Sequence, residues 1–225
     1  MKKKYIYTIL ALLVSSSLVF AQFGVSVKGG FQIPVGEFAD SYNSGMGGEI
    51  TFIYRTNPSF EFGLKTGYSH FTADEVVLKE KIIQDMEVEM EKPNADVTID
   101  VEAPLNVVPI AFNIKYLFGN KIFKPYFFFE GGTFFYDLTT KANVKVVNGP
   151  TIDIPETVQN ENSTMLGIGG GFQYKLAKKL FVDFSAKWNI MNNVKLVEAD
   201  NNETIKGVDK TAQSIGILGG LSFYF

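Results

Sequence analysis

The sequence predicts an all-β protein: an eight-stranded antiparallel up-and-down transmembrane β-barrel with long extracellular loops and short periplasmic turns. Three observations predict it. The chain opens on an export-signal pattern, about eight later segments alternate apolar and polar residues, and the links between them alternate short and long.

Residues 1–21 read as a cleavable signal peptide. Lys2, Lys3 and Lys4 precede an apolar run from Ile6 to Phe20, and Val19 and Ala21 are small enough for cleavage ahead of Gln22. The run is about 15 residues, short of the roughly 20 that span a bilayer as a helix. Residues 22–225 then form one barrel domain, with Cys at 0 ruling out thiol chemistry, disulfides and cysteine metal sites. A net charge of -3 supplies no basic surface for nucleic acid.

Strands send alternate side chains to opposite faces, so a strand between lipid and a polar interior reads apolar, polar, apolar. Phe23, Val25, Val27 and Phe31 oppose Ser26, Lys28 and Gln32 in the first such segment. Ile50, Phe52 and Tyr54 oppose Glu49, Thr51 and Arg55 in the second, and Phe60, Phe62, Leu64 and Tyr68 oppose Glu61 and Lys65 in the third. In the fourth, Val108 to Phe118, the apolar row opposes Asn113 and Lys115. The fifth, Tyr126 to Tyr136, is aromatic on both faces; Glu130 is placed inward because a carboxylate facing lipid is costly. Leu166, Ile168, Phe172 and Tyr174 oppose Gln173 and Lys175 in the sixth. In the seventh, Leu180, Val182, Phe184, Trp188 and Ile190 oppose Asp183, Ser185, Lys187 and Asn189. The eighth, Ala212 to Phe225, sets Ile215, Ile217, Leu221, Phe223 and Phe225 against Ser214, Gly216, Gly220 and Ser222. Tyr54, Tyr116, Trp188 and Phe223 fall near the ends of the outward band, where aromatic rings anchor at the lipid–water boundary, and Phe184 is expected to face lipid.

Short links run through Arg55–Ser59, Gly119–Pro125 and Leu176–Lys179, and long ones through Pro34–Ser44, Thr72–Leu105, Leu138–Ser163 and Asn192–Gln213. Strict alternation places both barrel termini on the short-link side. Asn148-Gly149 marks a hairpin within the third long link. In the second, MEVEMEK and DVTIDVE alternate, and ten acidic residues from Asp74 to Glu102 face only three lysines. Such runs are usually solvated, and the spacing fits no calcium loop.

On this register Lys28, Glu49, Arg55, Glu61, Lys65, Lys115, Glu130, Lys175, Asp183 and Lys187 all point inward. In a barrel this narrow the interior is filled by side chains, and charges there must pair. The structural reading is an ion-pair network that plugs the lumen. The alternative is a narrow conduit, with six bases against four acids favouring small anions. Catalysis has little to stand on. His70 is the single histidine, and adjacent Ser69 points to the opposite strand face. No catalytic, metal or cofactor residue is therefore assigned, and no cofactor is expected.

The stretch LNVVPIAFNIKYLFGNKIFKPYFFFEGGTFF, Leu105 to Phe135, resembles the core of the PorT-like outer-membrane β-barrel proteins of Bacteroidota, within the small OmpA/OmpX/OmpW-like architecture. Pro109, Lys115, Tyr116, Lys124, Pro125, Tyr126, Gly131 and Gly132 carry the resemblance. Terminal Phe225 resembles the signal read by the outer-membrane assembly machinery. The resemblance implies that machinery, outer-membrane lipid and lipopolysaccharide as partners; members of the group differ in function, so it implies no specific role.

The reading that follows is an exported, integral outer-membrane barrel, non-enzymatic, acting as a structural or surface-interaction element through its extracellular loops. One rival is a narrow passive channel or carrier of small hydrophobic molecules. Another is a soluble periplasmic lipocalin-like ligand binder, which needs the opposite arrangement of apolar interior and polar exterior.

Overall fold

Alternation in the sequence becomes a closed wall in the structure, a computed structural model that describes residues 22–74, 76, 97–146, 151–200 and 204–225. Its strands are β1 (Gln22–Val35), β2 (Gly45–Asn57), β3 (Phe60–Phe71), β4 (Val97–Glu102), β5 (Leu105–Leu117), β6 (Phe123–Val146), β7 (Thr151–Lys175), β8 (Leu180–Asp200) and β9 (Thr204–Tyr224). Eight of the nine close on themselves in the order β1-β2-β3-β5-β6-β7-β8-β9, with β9 returning to β1, and every pairing is antiparallel. Closure leaves no unpaired edge within the wall, which a sheet in hydrocarbon requires because lipid cannot hydrogen-bond the backbone.

The faces fall as the two-residue period dictates. Phe23, Phe52, Leu64, Phe112, Phe127, Ile168, Phe184 and Ile217 are all exposed, while their neighbours Ser26, Thr51, Lys65, Asn113, Glu130, Gln173, Asp183 and Ser214 are buried. An exposed apolar wall around a buried polar interior is the arrangement that lipid selects and water opposes.

The long links are more structured than their composition suggests. β6 and β7 continue as a hairpin from the wall to Lys145↔Thr151, and β8 and β9 to Asp200↔Thr204. The third expected loop is thus two strand extensions, although Asn148-Gly149 itself lies outside the described residues. The fourth, Asn192–Gln213, in which the sequence marks only a long link, is also a hairpin. Its sequence, NNVKLVEAD then TIKGVDKTAQ, alternates too weakly to announce strands, and pairing with a neighbour supplies what propensity does not. Within the second loop, DVTIDVE contains β4, which pairs with residues 141–146 of β6 just beyond the point where β5 ends. MEVEMEK lies outside the described residues. β7 and β8 part company above Met165↔Met191, where β8 shifts register and Asn193 takes a left-handed φ of 51°.

Candidate functional site

A barrel this small can act through its interior or through the end that carries its long links. The interior has three layers. At the short-turn end is an apolar floor: Ile53, Phe181 and Tyr224 on one side, Leu117, Tyr126 and Phe128 on the other. Their bulk is accommodated by glycines across the interior. A Cβ on Gly169 would lie 2.7 Å from the Phe128 ring, and one on Gly171 2.7 Å from the Tyr126 hydroxyl oxygen, so a side chain at either position would displace the floor.

Above the floor lies the ionic layer, in two linked clusters. In the lower one Asp183 accepts from Lys115 at 3.4 Å, Gln173 at 3.1 Å, Ser222 at 3.1 Å and the Tyr126 hydroxyl. Glu61 is bound by the Arg55 guanidinium, through Nε at 2.8 Å and through Nη2, and accepts from Tyr224 at 2.7 Å, with Lys115 at 3.5 Å. The guanidinium also stacks 3.9 Å from the Tyr224 ring centroid. In the upper cluster Lys187 bridges Glu49 at 2.7 Å and Glu130 at 3.4 Å, and Lys65 pairs with the same two carboxylates. Lys28 joins the clusters, lying 3.1 Å from Glu49 and 3.9 Å from Asp183 while donating to Ser185.

Nine of the ten residues expected inward form this network. Lys175 does not. It is the last residue of β7, half-exposed below the floor; its parity is inward, but at that level the ammonium reaches water and needs no partner. The remaining charges are sealed: Asp183 is 0% exposed and Glu61, Lys65 and Glu130 are each 1%. A void of about 10 Å³ between Ser26, Lys28, Thr51, Glu61, Asn113 and Lys115 has room for roughly one water molecule. A lumen so filled is a packed core, and its charges are held by multiple partners because each would otherwise be costly to bury.

The third layer closes the mouth at the long-link end, and nothing in the alternation pattern announces it. Phe71, Leu105, Val107, Phe134, Tyr136, Leu138, Met165 and Met191 turn inward here, and Phe38 and Tyr42 of the first long link insert among them. The link makes a single 3-10 turn at Gly36–Phe38, and Tyr42 then bridges to Ala73. Asn43 N–H donates to Thr72 O and Asp74 N–H to Ser41 O, each at 2.9 Å, pinning it across the opening. The Phe38 ring packs 5.1 Å from Tyr42 and 5.0 Å from Phe71. Burial pushes the Tyr42 hydroxyl well above the usual phenol range, and that hydroxyl has no hydrogen-bond partner among the described residues. The signal available was Phe38 and Tyr42, two aromatics one turn apart in an otherwise polar link. Nothing local says that they fold inward.

Outside, the aromatic residues form a girdle at the short-turn end. Cross-strand pairs Phe23–Tyr54, Phe60–Tyr116, Tyr116–Phe127 and Phe172–Phe184 have ring centroids 5.3, 4.9, 5.3 and 5.4 Å apart. Phe223 packs 5.4 Å from Phe225, and Trp188 faces outward nearer the other end. His70 bonds through Nδ1 to Asn106 Oδ1 at 2.7 Å, an oxygen that also accepts from Tyr68 at 2.6 Å. This trio belongs to the outer rim. Among the described residues no three side chains of His, Cys, Asp or Glu gather to hold a metal ion.

A family model described as the outer membrane protein beta-barrel domain matches residues 7–218. The chain belongs to that family. Membership places this outer membrane β-barrel protein in the outer membrane and agrees with the apolar wall and girdle. Among solved structures it is similar to a major outer membrane protein from Thermus thermophilus, at 13% identity over 91% of this chain and 99% of that one, with a TM-score of 0.55. Neisserial surface protein A aligns at 15% identity over 91% and 99% of the two chains, TM-score 0.49. OprG from Pseudomonas aeruginosa aligns at 12% over 92% and 97%, TM-score 0.46. A comparison with curated proteins finds no match. At these identities the structural likeness concerns the fold of the outer membrane barrel, and its activity has to be argued from the chain's own geometry.

Proposed function

We propose that this outer membrane barrel is a sealed, non-enzymatic scaffold that acts through the β-structure it raises outside the membrane. The observation that carries the reading is the triple closure of the lumen: an aromatic floor, an ion-pair layer at 0–9% side-chain exposure, and an apolar mouth stoppered by Phe38 and Tyr42. A conduit needs continuous water, and a carrier of small hydrophobic molecules needs an empty apolar cavity; the interior here is occupied by the protein itself. The lipocalin-like alternative needs the faces reversed, whereas charges lie inside and phenylalanines outside.

In this proposal residues 1–21 direct export and are removed, the short turns face the periplasm, and Phe225 serves assembly. The PorT-like, Bacteroidota resemblance of Leu105–Phe135 fits, since that stretch supplies β5 and the wall portion of β6. The lipid contact is the exposed apolar wall. The two hairpins, with β4 on the β6 edge, are what the molecule offers to lipopolysaccharide or a protein outside.

The test trims both hairpins to tight turns, removing residues 140–157 and 195–209, and compares the trimmed protein with a deletion strain. Trimmed protein is expected to reach the outer membrane and keep its heat-dependent gel shift yet to behave as the deletion does. Full rescue by the trimmed protein would sink the proposal.

A further inference from the structure

The wall is not electrically uniform at its short-turn end. The turn joining β5 to β6 carries Lys121 and the one joining β7 to β8 carries Lys178 and Lys179, all exposed, while Lys124 near the start of β6 and Lys175 at the end of β7 have the inward parity of Tyr126 and Gln173 and stand half-buried at the lower opening of the barrel. β6 and β7 are neighbours, so the two turns lie side by side, and the Lys175 N–H donates to Ile122 O at 2.8 Å, stitching one to the other. Five ammonium groups therefore share one quadrant of the rim. The third short turn, Thr56 to Ser59, has no charged residue, and its flanking Arg55 is turned inside onto Glu61.

None of the five lysines is buried, and none forms an ion pair among the described residues. Of the acidic side chains nearest in level, Asp183 is sealed in the interior with Lys115, and Glu61, held by Arg55 and Lys115, attracts Lys124 only from within the lumen; neither reaches Lys121, Lys178 or Lys179. Beside the lysines, Ile122 is 57% exposed, Leu176 55% and Phe118 48%. Apolar side chains and the exposed ammonium groups of Lys121, Lys178 and Lys179 at one level belong where acyl chains meet headgroups, the apolar parts in hydrocarbon and the lysines at the phosphates, with Lys124 and Lys175 adding positive potential from the lower opening. Anchoring alone predicts lysines spread around the rim, not confined to strands β5–β8.

We infer that this quadrant is a binding site for anionic phospholipid headgroups of the periplasmic leaflet, with phosphate as the group recognised. The leaflet follows from the orientation in the proposed function; the phosphate chemistry does not depend on it. The full chain is refolded in mixed micelles holding equal phosphatidylglycerol and phosphatidylcholine, and native mass spectrometry reads the lipid retained. The parent retains phosphatidylglycerol preferentially. Replacing all five lysines by glutamine (K121Q, K124Q, K175Q, K178Q, K179Q) lowers that retention at least about tenfold, while Lys210→Gln at the opposite end leaves it unchanged. In the unaltered protein, raising salt to about 1 M strips the phosphatidylglycerol, a readout that needs no variant to fold. Equal retention of both lipids by the parent, or retention insensitive to salt and to the five substitutions, overturns the site. An epitope inserted after Lys121 is reached by antibody only in permeabilised cells; labelling of intact cells overturns the leaflet assignment and leaves the lipid measurement to stand by itself.

Discussion

The middle of the barrel and its mouth have the same wall and solve opposite problems inside it. In the middle, β strands point lysines, an arginine, glutamates and an aspartate into a space with room for roughly one water molecule, and every carboxylate there is within reach of at least two cations. At the mouth the same strands turn Leu105, Phe134, Tyr136, Leu138 and Met165 inward, and a loop supplies the filling. Ionic packing fixes which face is inward in the six wall strands that carry its charges, since a one-residue slip would put Asp183 or Glu130 into lipid, and β7 and β9 follow through their pairing with β6, β8 and β1. Apolar packing fixes nothing of that kind, because leucine is welcome on either face. The middle therefore sets register, and the mouth sets access.

That contrast can be broken from either side. The largest effect is expected at Asp183→Leu, which strips Lys115, Lys28, Gln173, Ser222 and Tyr126 of their shared acceptor and should cost about 3–5 kcal/mol in denaturant titrations of refolded protein. Adding Lys115→Met should restore part of the loss; no recovery would mean that the clusters are less coupled than drawn. On the outer face Phe184→Lys should cost about 2–4 kcal/mol, while Phe184→Leu stays within about 1.5 kcal/mol. Phe38→Ala should loosen the mouth alone, lowering the opening free energy read from amide exchange at Tyr42 and Asn43 by about 3 kcal/mol with the gel shift intact. If exchange accelerates equally in β1 and β9, the stopper and the wall are one cooperative unit. The smallest effect belongs to Tyr42→Phe, which removes a buried hydroxyl without a partner and should be neutral or stabilising by no more than about 1 kcal/mol.

The same contrast explains what could be read from the residues. Period-two alternation is visible only where the two faces differ, so the faces of β2, β3 and the wall half of β8, with charge inside and Phe or Leu outside, are legible residue by residue, though not the strands' full lengths. Glu130 was placed by the cost of the alternative, and its parity then assigns Tyr126, Phe128 and Phe134 inward as well, although aromatic residues on both faces gave no contrast. Lys175 had the right parity and the wrong height; alternation reports which face a side chain takes and is silent on where along the strand the interior ends. Phe38 and Tyr42 were illegible for a different reason, since their burial depends on a cavity lined by six strands, β3 and β5 to β9. The upper halves of β8 and β9 are strands through pairing with one another, a tertiary cause that Asn192–Gln213 does not display locally.

Closure of the lumen is the central claim, and conductance tests it most directly. Purified, refolded protein in a planar lipid bilayer should add no stepwise current at any applied voltage that the bilayer survives, and removing the stopper with Phe38→Ala should still leave the ionic layer and floor in place and the bilayer silent. Steady single-channel steps from the unaltered protein would contradict the sealed barrel and restore the narrow conduit as its function.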